Sequence, residues 1–156
     1  MSLTVTLDTR TVRVARLGGL VLCDSVGWRS GDPDFNPHVV DAVGEVVTSH
    51  ATVQLLARSL RTHPPTQEGR AAYKRMFSEH GKKITVVHFA IEDSGFVASA
   101  MRSAVSTLAT LGMTGAPLHV HKDIELALDA MCRAHPEHGA GREAILEFYR
   151  SHPAVG

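Results

Sequence analysis

Between residues 37 and 135 the chain alternates helix-like and strand-like segments with almost no slack, and this alternation constrains the fold more than any other feature. Val39, Val40, Val43, Val46 and Val47 recur at helical spacing, and the run 52–57 follows with strand character. Residues 67–80 then read as a helix, 84–91 as a strand, 94–111 as a helix, 117–121 as a strand and 123–135 as a helix. Parallel strands need crossovers of about this length, so the order predicts an α/β fold with crossover helices on a sheet.

Local signals mark the element ends. Asn36 and Pro37 supply an N-cap and a first-turn proline, Thr66 and Asp123 stand where caps belong, and Gly112 stands at a helix end. Upstream, Leu3, Val5 and Leu7 alternate with polar residues. Strand character resumes over 11–17, and Gly18-Gly19 turns the chain into 20–23, which predicts an N-terminal β-hairpin. Gly139 and Gly141 set off a last amphipathic helix over 142–149, with Ile145, Leu146 and Tyr149 on one side. The expected division is a domain over 1–135 and a helical appendage over 136–156, which either packs on the domain or meets a partner.

A length of 156 residues suits one ordinary core. Sixteen basic residues balance sixteen acidic ones, so overall charge recruits neither nucleic acid nor an anionic membrane. Trp28 and the few other aromatics offer no stacking platform for bases. Cys23 and Cys132 lack paired spacing and read as buried free thiols of a reducing compartment. The first residues lack a signal-peptide pattern and no apolar stretch would span a bilayer, so the expected location is cytoplasmic.

Three histidines form the most chemical-looking group. His119 and His121 lie two apart on a strand and therefore face the same side. If the strand of His88 is the neighbour, three imidazoles reach one spot, which is the ligand count of a catalytic zinc site. The alternative is a set of strand-end histidines that are solvated or bonded to backbone. His135 and His138 at a helix end are sufficiently explained by capping and the helix dipole.

Ligands of open α/β sheets bind beyond the carboxyl ends of strands. There this chain supplies Ser59, Arg61, Thr62, His63 and Thr66 after one strand and Glu92, Asp93 and Ser94 after the next. No GxSxG elbow, phosphate-binding P-loop or GxGxxG is present, no motif calls for a cofactor, and no aspartate ends the 52–57 run as a receiver domain requires.

The order of elements resembles the STAS fold of anti-sigma-factor antagonists, and more closely the divergent bacterial STAS-like proteins grouped with Sec14-type folds. The local match runs through 84–91, the following helix, then 116–121 and 123–131, within an overall span of about residues 12–131. The resemblance implies a STAS-like mixed sheet and a non-catalytic signalling module. Such a module would act by docking to another bacterial protein, and the resemblance leaves self-association open. Its contact surface would comprise Ser59, Arg61, Thr62, His63, Thr66 and Ser94. Where the family's switch has an Asp-Ser pair, this chain has Arg58-Ser59, so control by a kinase is not carried over. The second expectation is an enzyme that binds a metal or small ligand through His88, His119 and His121.

Overall fold

A computed structural model describes residues 2–27, 36–60, 67–93, 95–110 and 116–152, and all that follows concerns these. The strands are β1 (Thr4–Asp8), β2 (Val12–Leu17), β3 (Leu20–Val26), β4 (Val53–Leu60), β5 (Ile84–Ile91) and β6 (Leu118–His121). The helices are α1 (Asn36–Ser49), α2 (Gln67–His80), α3 (Gly95–Thr110), α4 (Ile124–Ala134) and α5 (Arg142–Arg150). A 3-10 link, Pro136–Gly141, joins the last two helices. Thr66, Ser94 and Gly112, expected as caps or helix ends, lie outside the described residues. Asp123 does cap α4, accepting from the Leu126 amide at 2.8 Å.

The six strands form one mixed sheet whose spatial order is the sequence order. β1, β2 and β3 pair antiparallel, whereas β3 to β6 are parallel. The hairpin turn uses Gly18 at φ 56°, a conformation that costs glycine little. Right-handed crossovers applied to a steadily advancing strand order place successive helices on one side. There Val39, Val43 and Val46 of α1 and Met76 of α2 bury against Val21, Leu55 and Val87.

The opposite face is closed by α4 and α5. Leu128, Met131, Ile145, Leu146 and Tyr149 pack on Leu20, Leu22, Leu56 and Val86. The last helix is therefore part of this core, and the Tyr149 hydroxyl donates to the Leu56 carbonyl at 2.7 Å. Gly141 enters α5 so closely over Leu17 that a Cβ there would stand 2.5 Å from its Cδ2. No helix among the described residues is long and apolar enough to cross a membrane.

Two strands outrun their apolar signal. β3 continues past Cys23 through Asp24 and Ser25, and β4 continues past Ala57 through Arg58 and Ser59. Asp24 lies directly opposite Arg58, and their pairing lets charged residues occupy strand interiors.

Candidate functional site

The parallel strands deliver two polar rows to the face covered by α4 and α5. Asp24, Arg58, Ala90 and His121 stand side by side across β3 to β6, with Leu22, Leu56, His88 and His119 in the adjoining row. The first row anchors the carboxyl edge of the sheet. Arg58 donates from Nε and Nη2 to the two carboxylate oxygens of Asp24 at 2.8 and 2.7 Å. Its Nη2 also donates to the Tyr149 carbonyl at 2.9 Å, and its Nη1 lies 3.5 Å from Glu92. Burial opposes the Arg58 charge, but the hydrogen bond and charge of Asp24, aided by Glu92, prevail and hold its proton more tightly than usual.

This network ties three segments together. Glu92 Oε2 accepts from the Ile124 amide at 3.1 Å, so the end of β5 also steadies the start of α4. Asp24 lies 3.0 Å from His152 Nδ1, while His152 Nε2 faces the Thr9 and Arg10 carbonyls at 3.0 and 3.1 Å. Arg13 reaches the Phe148 carbonyl and the Ser151 hydroxyl from the other side. Carbonyls near the end of α5 are thus satisfied by two arginines, as a helix C-terminus favours.

His88 and His119 of the second row and His121 of the first bring the three expected histidines together. The rings of His88 and His119 have centroids 5.1 Å apart and planes 24° apart; those of His88 and His121 are 5.2 Å and 25°. His88 Nδ1 and His121 Nε2 share a hydrogen bond of 2.9 Å. The rings are stacked instead of aiming their nitrogens at one point. Among the described residues no group of three His, Cys, Asp or Glu is disposed to hold a metal ion. His88 is 4 % exposed, and burial followed by the charges of His121, His119 and His135 lowers its pKa to about 4. His121 is also lowered, by burial and then His119.

The 3-10 link adds a residue that sequence reasoning had explained by capping alone. His138 is buried, and its Nε2 donates to Gln54 Oε1 at 2.9 Å. Gln54 in turn donates to Thr85 Oγ1 at 2.8 Å, so the amide orientation and the histidine tautomer fix each other. A glutamine in the middle of an apolar run was the available sequence signal, since a buried amide demands partners.

Of the expected contact residues, Ser59 is 4 % exposed within β4 and belongs to the sheet interior, because the Asp24–Arg58 pair draws that stretch into the ladder. Arg61, Thr62, His63, Thr66 and Ser94 lie outside the described residues. Just beyond residue 94, Gly95 takes φ 82° and Phe96 stands 87 % exposed in the first turn of α3. Both cysteines are free; Cys23 is buried, and burial with the adjacent Asp24 pushes its thiol up, which makes it unreactive.

Fold and site together define an α/β protein with a mixed six-stranded sheet, a charged clamp at the carboxyl edge and a histidine stack beside it. Compared with known proteins, the chain matches no family model, no curated protein and no solved structure.

Proposed function

We propose that the protein is a non-catalytic regulatory module of STAS-like type that docks a protein partner at the carboxyl edge of its sheet. The observation that carries this reading is Phe96, the most exposed large apolar side chain among the described residues. A partner that buries its ring gains about 2 kcal/mol from apolar area. Residues 61–66, which follow β4 in the sequence, include Arg61 and His63 and no carboxylate. The complementary surface is an apolar socket with an acidic rim. The roots of the loops are held by the Arg58–Asp24–Glu92 network and by Arg102, whose Nη1 donates to the Ile91 carbonyl at 3.2 Å. Fixed roots lower the ordering cost of binding. The element order resembling bacterial anti-sigma-factor antagonists supports the same class of activity.

The test is quantitative affinity capture with cross-linking, using the wild type, Phe96→Ala and an Arg61→Ala/His63→Ala double variant. One partner should be lost from both variants while their melting temperatures stay within about a degree of wild type, since exposed substitutions change stability little. Recovery of every partner at wild-type level from both variants would remove this surface assignment.

A further inference from the structure

Five of the ten histidines meet at the seam between the sheet and the link that joins α4 to α5. His88, His119 and His121 come from the sheet side. His135 ends α4, and His138 lies on the link with its ring 5.9 Å from that of His135. Two of these rings are buried and incompletely satisfied: His88 Nε2 and His138 Nδ1 have no hydrogen-bond partner among the described residues. A bare lone pair there is tolerable. A second N–H is not, because it carries charge into an apolar seam and finds no acceptor.

We propose that this histidine seam is an acid-operated latch, closed while His88 and His138 are neutral and opened by their protonation, which lifts the link Pro136–Gly141 off the sheet. The surrounding charges make the response one-sided. From β6, His119 and His121 face His88, and His135 opposes it from the end of α4. Arg133 adds further positive charge toward His121, with Asp123 the acid acting in return. On the link, Glu137 favours the charged form of His138, but burial, the largest influence, holds the pKa of that ring below normal. Glu137 is 60 % exposed and 3.4 Å from His135, and Glu92 is occupied by Arg58 and the Ile124 amide. Among the described residues, no carboxylate is therefore buried between the rings to absorb a proton's charge.

The sign follows from linkage. Histidine in the unfolded chain titrates near 6.5, and His88 in the folded chain near 4. The folded form binds fewer protons over that interval, so stability is intact above about pH 6.5 and falls as the pH drops toward 4. His88 alone should lower the folding equilibrium constant roughly 50-fold between pH 7 and 4.5. The apolar packing of Leu128, Met131, Ile145 and Leu146 holds α4 and α5 in place. The yielding part is the short link, which rests on Gln54 through His138 and on Leu17 through Gly141.

Hydrogen exchange at pH 7 and pH 5, with times scaled to intrinsic rates and EDTA present, reads the latch directly. Amides of residues 135–142 should lose protection at pH 5 at least tenfold more than those of α1 and β3. His138→Gln, which keeps a donor to Gln54 without titrating, should retain most of that protection. His88→Gln should reduce the fall in urea midpoint over the same interval; if that variant does not fold, His121→Asn serves in its place. An equal loss of protection across the whole chain, or an unchanged pH response in His138→Gln, would overturn the proposal.

Discussion

The two faces of the sheet are both buried, yet they are built on different physics. Beneath α1 and α2 the contacts are aliphatic: valines of α1, Met76, Leu55 and Val87, with the buried thiol of Cys23. Such a face is stabilised by area and shape, and it tolerates exchange among residues of similar volume. Beneath α4 and α5 an apolar core of comparable quality is interrupted by Asp24, Arg58, Gln54, His88 and His138. Each polar group there needs a named partner, so this face is specific in register and sensitive to charge. The buried charged and imidazole side chains lie on the second face, and the chemistry of the molecule is concentrated there.

The largest expected effect separates the two faces most clearly. Arg58→Ala leaves Asp24 buried beside a single remaining side-chain partner, His152, and should cost about 4 kcal/mol in urea unfolding. An Asp24→Leu/Arg58→Met double variant should lose far less, which would show that the pair specifies register more than it adds stability. Next comes Met76→Ala on the face under α1 and α2, at about 3 kcal/mol, with much the same loss at pH 7 and pH 5 because the core cluster that packs on Met76 is apolar. A strongly pH-dependent loss for Met76→Ala would break the contrast between the faces. Tyr149→Phe should cost about 1.5 kcal/mol by removing the buried hydroxyl's bond to the Leu56 carbonyl. Asp123→Ala, which removes the α4 cap, should cost about 1 kcal/mol and show as fraying of the first turn in hydrogen exchange.

The alternation of helices and strands was legible because each segment carries its own period, and Gly18 and Asp123 announce a turn and a cap by their chemistry. The carboxyl ends of β3 and β4 were not. Asp24, Ser25, Arg58 and Ser59 have the composition of a turn, and only a partner 34 residues away converts two of them into strand residues. The histidine group was half legible. Spacing places His119 and His121 on one side, and neighbouring strands bring in His88, but ring orientation depends on packing that no spacing encodes. His138 was assigned to a helix end because its burial arises from the fold of the link over Gln54.

The agreement of spatial and sequential strand order also bears on how the chain is assembled during synthesis. Each strand can pair with one already made as soon as it appears, so the sheet grows by addition at one edge. The face that receives α5 has no such immediate cover. Leu56 waits 93 residues for the Tyr149 hydroxyl, and Asp24 waits 128 for His152. A chain halted before residue 145 therefore holds out a paired sheet whose second face lacks the cover of α5, a state in which exposed apolar surface calls for a chaperone.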